Sequence, residues 1–83
     1  MTIEKTLKQR QKTHGDFATH AKISQELKNV MREHGLYELD ADQIEALEMV
    51  AHKIARILNG NPNYFDSWHD VAGYSTLVAD RLK

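Results

Sequence analysis

Apolar residues along the chain fall into three runs with helical spacing. From Asp16 to His34, Phe17, Ala21, Ser24, Leu27 and Met31 recur every three or four positions, joined by Ile23 and Val30. That period places side chains on one face of an α-helix. Gly35 follows where a C-terminal cap belongs. A second run covers Asp40 to Asn59 with the stripe Ile44, Leu47, Ala51, Ile54 and Leu58. It opens on Asp40 with Gln43 three residues on, the spacing of a capping box, and Gly60 is the expected left-handed stop. The third run, Tyr64 to Leu82, takes Asn63 as N-cap and Asp66 in its first turn, where a carboxylate suits the helix dipole. Its inward face reads Trp68, Val71, Ala72, Ser75, Ala79 and Leu82. No strand-like alternation and no internal repeat interrupt this pattern. It predicts an all-α fold of three main helices in an antiparallel bundle, with Trp68, Leu47, Ile54 and Leu27 sharing one core.

The first fifteen residues read differently. Ile3 and Leu7 stand one turn apart amid polar residues, which suits either a short helix docked on a neighbour or a frayed end. Residues 1–15 are thus set apart as a basic N-terminal arm, and residues 16–83 form one helical domain. On the third helix, Gly73 and Leu77 share a stripe away from Trp68. A glycine inside a helix costs about 1 kcal/mol relative to alanine, and close approach by another backbone is a common compensation. A chain of this size buries only about 60% of its unfolded surface. Gly73 and Leu77 are therefore the expected interface of a homo-oligomer, a dimer or higher.

Composition narrows the class. There is no cysteine, so neither a disulfide framework nor a thiolate metal site is available. No apolar run approaches the length of a bilayer span, and the start of the chain is basic where a signal peptide needs an apolar stretch. The expected location is cytoplasmic, with no membrane partner. A formal net charge of -1 argues against general nucleic-acid binding. Charge is nonetheless uneven: Lys5, Lys8, Arg10 and Lys12 make the arm basic, whereas Glu33 to Glu48 holds acids and no Lys or Arg.

Candidate chemistry concentrates on the second helix. Glu45, Glu48 and His52 lie at i, i+3 and i+7, and Arg56 continues their line. Two carboxylates one turn apart can hold a hard cation such as Mg²⁺ through oxygen, and the ion can hold nucleotide phosphates in turn. Glu48 borders the apolar stripe and is expected to be partly buried. Asp66 and Asp70 supply a second pair on the next helix, and an antiparallel hairpin brings Glu48 and Asp70 to comparable heights. His20, on the apolar side of the first helix, reads as a hydrogen-bonded core or interface residue. No HxxxH pair, GxSxG turn, P-loop or GxGxxG loop occurs, so phosphate would be bound through a metal or basic side chains.

Glu45-Ala-Leu-Glu48, followed after the loop by Asp66-Ser-Trp-His-Asp70-Val-Ala-Gly73-Tyr, resembles the signature of the MazG-like all-α nucleotide pyrophosphohydrolases. That family carries ExxE on one helix and ExxD on the next, holding Mg²⁺ for hydrolysis between the α and β phosphates. The resemblance implies Glu45, Glu48, Asp66 and Asp70 as metal ligands. Ser67 stands where ExxD requires an acid, so one ligand is missing unless Asp66 substitutes. A nucleotide binder without turnover then has Lys53, Arg56 and His52 for the phosphates. Nearly the whole chain also resembles short phage and prophage proteins. The shared segments are His14 to Phe17 (His-Gly-Asp-Phe), His52 to Pro62 and Trp68 to Tyr74. Together these imply a phage-encoded nucleotide-handling protein in the cytoplasm of an infected bacterium, either a weak Mg²⁺-dependent pyrophosphohydrolase or a degenerate binder. The alternative is a non-enzymatic inhibitor that sequesters a host signalling nucleotide or binds a host protein. No catalytic residue is assigned.

Overall fold

The computed structural model describes residues 2–83. Its elements are helices α1 (Ile3–His14), α2 (Phe17–Glu33), α3 (Ala41–Asn59) and α4 (Phe65–Arg81), with a 3-10 turn at Leu36–Glu38. All regular structure among the described residues is helical. The three expected helices are present within a residue or two of their expected ends. The basic arm is a fourth helix, so the expected count of three is corrected to four.

Local chemistry sets the boundaries. Asp16 caps α2, its carboxylate accepting from the Thr19 N–H at 2.9 Å and from the Thr19 hydroxyl at 2.8 Å. Gly35 takes the left-handed conformation after α2, with φ 96°, as its position predicts. The Asp40–Gln43 capping box is formed, the Gln43 side chain accepting from the Asp40 N–H at 2.9 Å. Two expectations fail. Tyr64 rather than Asn63 precedes the first residue of α4. Gly60 has φ -124°, so it ends α3 without a left-handed turn.

Close backbone approach explains that glycine instead. Asn59 Nδ2 donates to the carbonyls of His14 at 3.2 Å and Asp16 at 2.8 Å, and the Asn61 N–H donates to the Thr13 carbonyl at 2.7 Å. A Cβ on Gly60 would collide with the Thr13 carbonyl and the His14 backbone. Gly15 is equally confined against the Asn59 carbonyl and also has φ 78°, where only glycine is at ease. The His14–Phe17 and Asn59–Pro62 segments thus lock together. They fix α1 by its C-terminal end, although no residue of α1 is buried.

α3 is the central helix, with α2 on one flank and α4 on the other. The α3/α4 pair runs antiparallel, as two ion pairs demonstrate. Lys53 meets Asp70 at 2.9 Å near the loop, and at the far end the Arg81 guanidinium binds both Asp42 and Asp40, the latter at 3.0 Å. The helices close on small side chains. Ala46, Ala51 and Ala55 of α3, Ser24 of α2 and Ser67 of α4 are buried, together with Leu36 and His20.

The expected core of Trp68, Leu47, Ile54 and Leu27 is not formed. Trp68 is 56% exposed, Leu47 43% and Ile54 37%, and Leu27 is half-buried. On α4 the side facing α3 is Ser67, Val71, Tyr74 and Val78, about one residue, or roughly 100°, around the helix from the expected face. Ser67 lets the backbones approach, and the Trp68 indole N–H is tied to the Pro62 carbonyl at 2.7 Å, which holds the ring beside the loop.

Candidate functional site

The α1–α2 corner lies across the polar side of α3 and encloses a cavity of ≈ 410 Å³. Arg10 and His14 come from α1, Phe17 and His20 from α2, and His52 and Arg56 from α3. Each helix contributes for a local reason. The Asn59 lock brings the end of α1 over the last turns of α3. The Asp16 cap starts α2 so that Phe17 and His20 face the same space. His52 and Arg56, four residues apart, project from one side of α3.

Three imidazoles line this cavity in contrasting states of satisfaction. His20 Nε2 lies 3.3 Å from His52 Nδ1, with the rings edge to face at 4.5 Å between centroids. His20 is only 5% exposed. Its Nδ1, like Nδ1 of His14, is buried without a hydrogen-bond partner among the described residues. The His14 ring leans edge-on against Tyr64 at 5.6 Å. Burial, reinforced by the Arg56 charge, lowers the pKa of His14 and His20 and pulls His52 down to about 4. All three rings are therefore neutral near pH 7. Arg10 and Arg56 form no ion pair among the described residues.

This arrangement has a definite chemistry. One proton lies between two neutral rings, so His20 and His52 have two tautomeric arrangements. If His52 donates from Nδ1 to His20 Nε2, His20 carries its own proton on Nδ1 as a buried donor. That arrangement leaves His20 Nδ1 a buried donor without a partner, while the guanidinium groups of Arg10 and Arg56 line the same cavity and can pair with an anion.

The residues singled out from the sequence divide sharply. His52 and Arg56 meet in the cavity. Lys53 does not, because it points to α4 and neutralises Asp70, whose pKa falls through the hydrogen bond from Lys53. Glu48 is half-buried as expected, while Glu45 and Asp66 are exposed. No group of three or more His, Asp or Glu side chains converges into a metal-holding cluster among the described residues. Asp70 is level with Lys53, five residues and about 7.5 Å along the axis from Glu48, and Glu48 is turned about 140° from Lys53 toward α2. Within one chain, Glu48 and Asp70 are thus separated both in height and in direction. Gly73 and Leu77 lie on the outer side of α4 in a shallow groove with His69 and Thr76. Nothing is within 4 Å of a Cβ built on Gly73.

Arg10, His14 and Phe17 went unassigned in the sequence. Their signal was the His-Gly-Asp-Phe segment itself, whose glycine marks a backbone contact and whose flanking ring residues face the cavity. His20 is the hydrogen-bonded buried histidine that its position predicts.

A family profile described as a domain of unknown function (DUF6378) matches residues 2–82. The chain belongs to that family. No curated protein and no solved structure matches it. Membership of DUF6378 brings no activity, no phage origin and no link to the MazG-like enzymes. The match spans α1 as well as the other helices, so both segments of the Gly15–Gly60 lock lie within the family's domain. No helix among the described residues is long and apolar enough to cross a membrane.

Proposed function

We propose that this DUF6378 chain binds a phosphorylated small molecule of the nucleotide class in the cavity between α1, α2 and α3. The observation that supports the reading is one cavity lined by three imidazoles and by the guanidiniums of Arg10 and Arg56, neither of which forms an ion pair among the described residues. Arg10 and Arg56 supply charge and forked donors suited to phosphate. Phe17, which is largely exposed, and Leu7 give an apolar edge on which a base can rest.

The reading contains no metal step. Lys53 is removed from the phosphate contacts named above, and Arg10, His14 and His20 join Arg56 and His52. A binder without turnover suits sequestration of a signalling nucleotide, in a phage-infected cell or elsewhere, better than hydrolysis.

Calorimetric titration with nucleoside mono-, di- and triphosphates, with and without Mg²⁺, tests it, alongside an assay for released pyrophosphate. Binding that is independent of Mg²⁺, lost in Arg56→Ala and retained in Glu48→Gln is the expected result. Mg²⁺-dependent pyrophosphate release abolished by Glu48→Gln would restore the pyrophosphohydrolase reading. No binding of any nucleotide would leave the protein-inhibitor alternative.

A further inference from the structure

The side of α3 opposite the histidine cavity is apolar and uncovered. Leu47, Ile54 and Leu58 run along it at i, i+7 and i+11, and Trp68, Ser75 and Leu82 of α4 flank it. All but Ser75 are large apolar residues left exposed. Between them, Leu47 and Val50 of α3 and Ser75 and Val78 of α4 line a groove of ≈ 290 Å³. Positions 47, 50, 51, 54 and 58 of α3 and 68, 72, 75, 79 and 82 of α4 carry no charged residue. These are largely the stripes that the apolar period marks as inward.

We infer that this α3/α4 face is covered by the same face of a second copy of the chain. Three observations favour that occupant. First, the single chain exposes 6041 Å², roughly 950 Å² more than the area usual for a folded chain of its mass. That excess, to which the unburied α1 also contributes, leaves room for the roughly 800 Å² each partner contributes to a standard interface. Second, α2 and α4 each pack on α3 but hardly on each other. The helices thus form an open layer, with α2 and α4 on either flank of α3, in place of a closed bundle. Third, an uncharged face can meet itself across a two-fold axis without like-charge repulsion, and helical stripes of equal length match by symmetry. Leu47, Ile54 and Leu58 of one copy then pack on the same residues of the other, and the indole of Trp68 is shielded at the edge.

This places the interface on the side of α4 away from Gly73 and Leu77. It also leaves the histidine cavity open in both copies, so self-association and ligand binding are separable.

Sedimentation or light scattering at tens of micromolar should give a dimer for the wild type. Leu47→Glu and Ile54→Glu, each burying an uncompensated charge in the interface, should raise the dimer Kd by at least about tenfold. Leu77→Glu, on the outer side of α4, should leave it unchanged. Trp68 is the only tryptophan, so dilution of the wild type should shift its emission to the red as the dimer separates; this readout needs no variant. A wild type monomeric at tens of micromolar overturns the inference. So does a dimer indifferent to Leu47→Glu or lost in Leu77→Glu, or an emission constant across dissociation.

Discussion

The Lys53 ammonium lies 2.9 Å from the Asp70 carboxylate, so a residue expected at phosphate and one expected at metal neutralise each other across the α3/α4 contact. Lys53 is mostly shielded while Asp70 is open to solvent on one side. Asp70→Asn should therefore lower the thermal midpoint, by an amount that shrinks as salt is added. It should leave Mg²⁺ affinity and nucleotide affinity where they were. Loss of nucleotide binding in Asp70→Asn, with the fold retained, would return Asp70 to the functional site.

The histidine cavity makes the protein acid-sensitive. In the unfolded chain these histidines protonate near 6.5, whereas His52 in the fold does so only at about 4, with His14 and His20 also lowered. Between those values the unfolded state binds more protons than the folded state. Stability is thus fully present above about pH 6.5 and lost as pH falls through this window. Chemical denaturation from pH 7.5 to 4.5 should record that fall, and His52→Gln should make it shallower. A bound phosphate reverses the preference by favouring charged rings. Nucleotide affinity should accordingly rise toward pH 5.5, with proton uptake detectable in buffers of different ionisation enthalpy.

Gly60→Ala tests the lock between the two loops. With the new methyl directed into the Thr13 carbonyl and the His14 backbone, the segments must separate. Overpacking of this kind costs about 1–3 kcal/mol. The variant should lose that stability and lose nucleotide binding with it, because α1 carries Arg10 and His14. Unchanged amide-exchange protection in α1 would show that the lock does not hold it.

Gly73→Ala should do the reverse. The added methyl meets nothing within 4 Å, and replacing a mid-helix glycine by alanine gains up to about 1 kcal/mol. A raised thermal midpoint with the dimer intact is expected. Dissociation in this variant would place the interface on the outer side of α4.

Arg81→Ala should loosen the far end of the α3/α4 pair. Its guanidinium joins Asp42 and Asp40, and the bond from Arg81 lowers the pKa of Asp42. That contribution is present at neutral pH and disappears as pH falls through the lowered pKa of Asp42. Faster amide exchange in the first turn of α3 is the signature to look for.

Much of the secondary structure was legible in the sequence, because helix limits depend on neighbours in the chain. Gly35 and the Asp40–Gln43 pair act within a few residues of themselves, and each behaves as its position predicts. The apolar period likewise identified stripes that are real on α3 and α4. Periodicity cannot say what covers a stripe, however. Alanine and serine closed the contacts within the chain, leaving Leu47, Ile54 and Trp68 uncovered, since backbones approach most closely where side chains are small. The cavity was beyond local reading for a related reason. His52 and Arg56 are neighbours on one helix and could be seen as a pair, but Arg10, His14 and His20 join them only because Gly15 and Gly60 let two distant loops touch. Which acids meet was decided by the offset between α3 and α4, fixed by Lys53–Asp70 at one end and Arg81–Asp42 at the other. Spacing along a chain sets which side chains share a face; only the packing of helices sets which faces meet and at what height.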